Sequence, residues 1–375
     1  MLPDCDEQRT DNSGHLSCCT LAELKPVNHG QPFSTSGFVS YWVKGFVNTA
    51  EGKIPLVNTS LAFRDILGGW SARWGINRMK YRVSPGLYGV GNPDGSSPVL
   101  ATANYKMSFD CLRKELSGID AWIMVIDTNG INVWCAEGKG TFGTTEIVKR
   151  INAVSLSTIV SHRTLVLPQL GAPGVAAHEV KRQSGFNVVY GPVRSRDIRE
   201  YLKAGMKATK EMRAVEFNFL ERLFLTPVEV VGILKPLTVI AVAVFIAHLV
   251  GLITVTFSGL YPFIGAILIG TVLCPALLPW IPVHAFSLKG WIIGILWTIT
   301  VLYMKGGFSG HKDILNGLAL FFLLPAISAF LTLNFTGAST YTSLSGVKKE
   351  MKFAMPAIVI SASAGIVLWL AGFFL

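Results

Sequence analysis

"SSPVLATANYKMSFDCLRKELSGIDAWIMVIDT", residues 96–128, decides the fold. An apolar run (96–105) is followed by a helical pattern (107–118) and a second apolar run (121–128). Neither run alternates polar with apolar residues, which is the mark of strands buried on both faces. The unit recurs downstream. Helical patterns at 144–155 and 175–185 separate further strand candidates at 164–170 and 186–192. Strand and helix in alternation predict an α/β domain, a Rossmann-like parallel sheet with right-handed crossovers and helices on both faces.

In such a sheet ligands bind beyond the carboxyl ends of the strands. Those ends are Asn104/Tyr105, Thr128/Asn129, Gln169/Leu170 and Gly191/Pro192, and the loops after them are small or polar: "NYK", "NGIN", "GAPG", "GPVRS". Asn104, Thr128, Gln169, Gly171 and Gly191 are therefore expected to line one crevice.

Outward from this domain the composition changes. Half of the 375 residues are hydrophobic, and the mean hydropathy is +0.46. From Pro236 on there are only six bases (Lys289, Lys305, Lys312, Lys348, Lys349, Lys352) and two acids (Asp313, Glu350), which leaves 27 bases and 21 acids for the first 235 residues. Residues 1–35 read as a polar tail, 36–200 as a cytoplasmic domain and 201–235 as a juxtamembrane linker within one amphipathic helix over 194–230. Residues 236–375 read as an all-α transmembrane domain of five helices. The spans are expected at 236–257, 260–280, 284–304, 314–333 and 354–375, each about 20 apolar residues long. The bases ahead of the first span put the N-terminal half in the cytoplasm and the C-terminus outside a multi-pass cytoplasmic membrane. Lys305 and Lys312 then fall on the outer side, against the rule. The spans hold no Asp, Glu or Arg, so an anchor and scaffold is expected rather than an ion-coupled transporter. The net charge of +10 suits basic flanks facing lipid. No long Lys/Arg run or basic–aromatic stripe points to nucleic acid.

Six cysteines, at 5, 18, 19, 111, 135 and 274, form no CxxC or zinc spacing. The acidic N-terminus lacks the pattern of a signal peptide, so free thiols in a reducing compartment are expected. The vicinal Cys18–Cys19 pair suits soft cations, although incidental loop cysteines are commoner. Cys111 reads as a core residue of its helix.

Residues 126–150, "IDTNGINVWCAEGKGTFGTTEIVKR", hold the remaining signal. Gly138 to Gly143 spell GxGxxG, but the first glycine follows its strand too late and no acid lies between Ile151 and Ala177, so a dinucleotide site is not expected. A P-loop fails at Gly140 and Val133. A Cys nucleophile with His162 or His178 as base finds no local support. Asn132 is a good N-cap for one short turn, Val133 to Glu137, ended by Gly138. That turn puts Cys135 among exposed amides near the ligand edge, where a thiolate is a soft ligand, and Trp134 beside it is a flat wall. The residues alone leave two readings open: a cap over a planar, soft-metal cofactor, or a buried structural cysteine beside a core Trp.

"NVWCAEGK" closely resembles the N-V/I-W-C-A-A/G-G-K signature of the membrane corrinoid proteins of microbial mercury methylation. The similarity extends through "SPGLYGVGNPDGSSPVLATANYK", "GKGTFGT" and "VSHRTLVLPQLGAPGVAAHEV", and the corrinoid domain followed by five transmembrane helices matches too. The related large subunit of the corrinoid iron–sulfur protein lacks the cap cysteine and the membrane half. Glu137 departs from the signature, which has Ala or Gly there. The resemblance implies a cobalamin or related corrinoid, base-off and Cys-on, with the Cys135 thiolate on cobalt from the lower face. Asn132, Val133, Trp134, Cys135, Ala136, Gly138, Lys139, Gly140 and Thr141 would contact or cap the ring. It implies a corrinoid-dependent methyltransferase that passes a cobalt-bound methyl group to Hg(II), giving methylmercury. A methyltetrahydrofolate-linked donor would supply the methyl group and a ferredoxin-like iron–sulfur protein the electrons. Two alternatives remain: a membrane-anchored corrinoid methyl carrier of one-carbon metabolism, and a non-catalytic corrinoid-binding membrane protein.

Overall fold

The computed structural model describes residues 40–252, 254–306, 311–338, 341–342 and 344–374. The expected tail, with Cys5, Cys18 and Cys19, lies outside them. Among the described residues seven strands form one sheet. They are β1 (Val43–Thr49), β2 (Gly52–Val57), β3 (Gly86–Val90), β4 (Val99–Ala103), β5 (Ala121–Ile126), β6 (Thr164–Leu167) and β7 (Asn187–Tyr190), in the order β1-β2-β3-β5-β4-β6-β7. The four strands expected from the sequence are β4 to β7, and they pair in parallel. The sheet as a whole is mixed, which corrects the all-parallel expectation: β3 runs antiparallel to β5, and β1 and β2 make an antiparallel pair at the edge. β3 is a fully buried "GLYGV" whose two glycines hide its strand character.

Helices α1 (Phe63–Arg73), α2 (Lys106–Glu115), α3 (Val133–Gly138), α4 (Thr144–Ala153), α5 (Leu156–Ile159), α6 (Ala177–Ser184) and α7 (Ile198–Lys203) complete the domain. One face of the sheet, with Val99, Trp122, Met124 and Leu165, packs against Val133, Ile147, Ile151 and Val180. The other, with Leu100, Ile123, Val125 and Val166, packs against Phe109, Leu112, Ile198 and Tyr201. Both faces being covered is why these strands read as unbroken apolar runs. From β4 the chain passes through α2 to β5 on one side, and it later returns as β6 on β4's other side. The strand order thus reverses at β4, which opens a crevice at its carboxyl end.

The helix expected over 194–230 is not continuous. α7 ends at Lys203, α8 covers Lys210–Arg213, and a long apolar helix, Phe219–Leu249, runs through Pro227 and Pro236. Five helices among the described residues are long and apolar enough to cross a membrane: Phe219–Leu249, Phe257–Trp280, Phe286–Met304, Asp313–Gly337 and Ser345–Gly372. Because the first begins at Phe219, ahead of the expected Pro236, it also carries Glu221, Arg222, Glu229 and Lys235 in the turns before that point. Arg222 is buried; its guanidinium donates to the carbonyls of Ala276 at 3.1 Å and Phe217 at 2.6 Å and lies over the Trp280 ring. It pins the first helix to the end of the second. Lys289 in the third helix is also buried, its ammonium donating to the carbonyls of Leu278 and Ile281. Close approach of the third and fourth helices depends on Gly290 and Gly294, where a Cβ would meet the Ser328 carbonyl and Pro325 Cα at 2.6 and 2.7 Å.

Candidate functional site

The loop after β5 carries the cap turn, and a buried polar knot holds it. Asn104 Oδ1 accepts from the Thr128 amide at 3.1 Å and the Gly130 amide at 2.8 Å, and Asn104 Nδ2 donates to Asp127 Oδ1 at 2.9 Å. Thr128 Oγ1 lies 2.8 Å from Asn104 Oδ1 and 2.6 Å from the Ile131 carbonyl; its one hydrogen serves one of them at a time. Asn129 and Gly130 both take positive φ, which these residue types tolerate best. Asn104 and Thr128 are buried. They therefore position the loop from beneath instead of facing a crevice.

α3 follows directly. The Asn132 side chain accepts from the Cys135 amide at 2.9 Å, so the N-cap read from the sequence is present. Val133 and Ala136 are buried in the core, while Trp134, 43% exposed, and Cys135 are on the outside. A buried structural cysteine beside a core Trp is thus not what this turn contains. Past α3, Gly138, Lys139 and Gly140 are exposed. The amides of Thr141 and Phe142 both donate to the Ala136 carbonyl, at 2.9 and 3.2 Å, and this wrap drives Phe142 into the core. The turn Gln169–Gly174 packs underneath. A Cβ on Gly171 would lie 2.5 Å from the Phe142 ring, and one on Gly174 would lie 3.0 Å from Glu137 Cγ. Glu137 rests on this turn, about 200° around the helix from Cys135. Gln169 Oε1 is buried with no hydrogen-bond partner.

A cavity of about 280 Å³ opens at the reversal point. Its walls come from β4 (Leu100, Ala101, Thr102), α2 (Met107, Cys111, Leu112), the cap (Asn132, Val133, Trp134) and the loop after β7 (Gly191, Pro192). Of the residues expected at the site, it brings together Asn132, Val133, Trp134 and Gly191. Cys135 follows the wall residue Trp134 in α3 and is exposed, but is not itself part of the wall. Asn104, Thr128 and Ala136 lie behind it as support, and Gly138, Lys139, Gly140 and Thr141 continue away along the cap.

The α2 wall was missed from sequence. The amphipathic pattern of 107–118 showed which residues share a face, but Cys111 was assigned to the core. It is exposed and lines the cavity with Met107, one turn earlier. Protein still surrounds most of it. That desolvation pushes its thiol up, against the pull of the Arg73 guanidinium.

Residues 75–202 match the family described as the CO dehydrogenase/acetyl-CoA synthase delta subunit. The gamma subunit of the acetyl-CoA decarbonylase/synthase complex of Methanopyrus kandleri is 34% identical over 137 residues, 36% of this chain and 29% of that protein. Its counterpart in Methanocaldococcus jannaschii is 30% identical over 128 residues, 34% and 26% of the two chains. That of Methanosarcina acetivorans is 33% identical over 122 residues, 32% and 26%. The similarity covers about a third of this chain and less than a third of those relatives. The family match starts after α1 and ends before the first apolar helix.

Proposed function

We propose that the cytoplasmic half holds a corrinoid across the mouth of the β4 crevice, with the Cys135 thiolate as lower ligand to cobalt, and that it transfers a methyl group to Hg(II), giving methylmercury. The five apolar helices would fix it in a membrane, N-terminal half inside and C-terminus outside. The observation that carries this reading is the exposed Cys135, next to the crevice-wall Trp134 on a capped turn at the ligand edge.

The residues fit such a group. No cluster of three or more His, Cys, Asp or Glu able to hold an ion occurs among the described residues. A metal at Cys135 that came inside a macrocycle would bring its other ligands with it. The cavity of about 280 Å³ is smaller than the roughly 300–1,000 Å³ of a drug-sized ligand site. A planar macrocycle would lie across its mouth, with only a displaced appendage inside. Bound there, the corrinoid would supply the cobalt that carries the methyl group. The protein's part is local. Asn132 orients the turn, Val133 anchors it, Trp134 keeps water off the crevice edge, and Cys135 donates electron density. With a corrinoid bound, Cys135 would be the soft donor to its metal, and a soft Hg(II) would suit the methyl group that such a centre carries.

The relatives are named as subunits of a complex that works on acetyl-CoA, which supports a carrier serving protein partners. A methyltetrahydrofolate-linked donor and a ferredoxin-like iron–sulfur protein are proposed in those roles. The same names favour a second reading, a membrane-anchored methyl carrier of one-carbon metabolism whose acceptor is not mercury. A single-turnover assay on the full chain in lipid nanodiscs, loaded with methylated corrinoid and given Hg(II), separates them. Methylmercury should form in proportion to bound corrinoid, and Cys135→Ala should lose both the product and the thiolate-to-cobalt absorption. An unchanged cobalt spectrum in Cys135→Ala removes the ligand assignment. A normal wild-type spectrum without methylmercury leaves the carrier.

A further inference from the structure

Helix α1 is inside out. Its domain-facing side is Asp65, Gly68 and Ala72, and its outer side is Phe63, Ile66, Leu67 and Trp70, with Trp74 just beyond its end. Phe63 is 72% and Trp70 59% exposed, whereas Asp65 is buried. A helix on a soluble domain has the reverse arrangement.

The inward side is built to hold this pose. Asp65 accepts from Lys106 at 2.5 Å and Arg113 at 2.7 Å, and Asp110 accepts from the same two bases at 2.7 and 2.8 Å. Gly68 lets the helix sit on Tyr81, where a Cβ would come within 2.6 Å of the ring. The apolar side is therefore presented by a neutral, buried four-charge lock, and exposing a patch of this size is costly unless something covers it.

Two observations identify the cover. First, α1 lies against the first apolar helix, Phe219–Leu249, which is long and apolar enough to cross a membrane. Second, in the segment from Leu61 to Arg82 the exposed charges, Arg64, Arg73, Lys80 and Arg82, are all basic, and its one acid is the buried Asp65. Basic residues in the same segment as an apolar face that carries paired Trp suit the boundary between anionic headgroups and acyl chains. The Trp70 and Trp74 rings are 6.3 Å apart.

We infer that α1 is an interfacial membrane helix, lying in the plane of an anionic leaflet and tying the crevice-bearing domain down beside the first apolar helix. This rests on the membrane reading of the five helices. α1 falls just outside residues 75–202, the span of the family match.

The test uses the full chain, with its six native cysteines replaced by serine, in nanodiscs of phosphatidylglycerol and phosphatidylcholine. A fluorophore is placed in turn at Leu67→Cys, at Val239→Cys on the first apolar helix and at Lys181→Cys on α6, which packs at the β7 end of the sheet. Emission is then read with nitroxide lipids labelled at the headgroup or mid-chain. Leu67 should lose most of its emission to the headgroup nitroxide and less to the mid-chain one, Val239 should respond to the chain label, and Lys181 to neither. If Leu67 behaves like Lys181 while Val239 is quenched, the inference is overturned and the patch belongs to a protein partner. If Val239 is also unquenched, the membrane reading itself has failed.

Discussion

The side-chain oxygen of Asn132 accepts the Cys135 amide at 2.9 Å, so the residue that starts the cap turn also sets where its thiol stands. Loss of such a cap costs about 1 kcal/mol. A six-residue helix has little other local support, since isolated helices this short are unstable. Asn132→Ala should therefore weaken corrinoid binding roughly fivefold, read by titration of the apo-protein, while Asn132→Asp, which keeps the acceptor, should restore most of it.

The turn beneath the cap is equally constrained. Gly171→Ala would set a methyl 2.5 Å from the Phe142 ring and 3.2 Å from Val133 Cγ1. Overpacking of this kind typically costs about 1–3 kcal/mol. Denaturant unfolding should show that loss, and the Trp134 emission should shift because α3 is pushed outward. A variant as stable as the parent would mean that the turn yields freely.

Cys111 should react slowly with alkylating agents near neutral pH. Burial raises the Cys111 thiol, so its reactive thiolate is scarce until the pH passes the ordinary thiol value of about 8.5. With iodoacetamide and mass spectrometry, Cys111 labelling should stay slow near neutrality and climb steeply only above that value. A flat profile would contradict the assignment. Occupation of the crevice should also slow Cys111 labelling.

The lock under α1 should be intolerant of single changes. Arg113 is fully buried and joins both carboxylates. Arg113→Met leaves Asp65 and Asp110 sharing only Lys106, and breaking one partner out of a buried charge group costs about 3–5 kcal/mol. The sheet domain should unfold at a markedly lower temperature, and restoring neutrality with Asp110→Asn in the same chain should recover part of the loss.

Glu137 departs from the cap signature without facing the crevice. Its Cγ lies over Gly174 and it is absent from the cavity wall. Glu137→Ala should leave the cobalt spectrum unchanged and hold or raise methyl transfer in the single-turnover assay. A variant that loses transfer would give the carboxylate a role in the reaction.

Local rules reached far into this molecule. β4 to β7 and the helices between them were legible because strands buried on both faces must be apolar throughout, and because helical spacing needs only near neighbours. The N-cap at Asn132 was legible for the same reason: donor and acceptor are three residues apart. The apolar helices followed from length and composition, although the first begins 17 residues before the expected Pro236, since hydropathy cannot separate a span from the charged turns that continue it. What the chain folds against was decided elsewhere. Periodicity groups residues on a face without saying whether protein, lipid or a cavity meets it. So Cys111 was read as core and lines the crevice, and α1 turns its apolar side outward. Asp65 finds its partners 41 and 48 residues away, and no local pattern records such a pairing. The reversal of strand order at β4, which creates the crevice at all, is likewise a relation between strands distant in the chain, chosen by packing of the whole sheet.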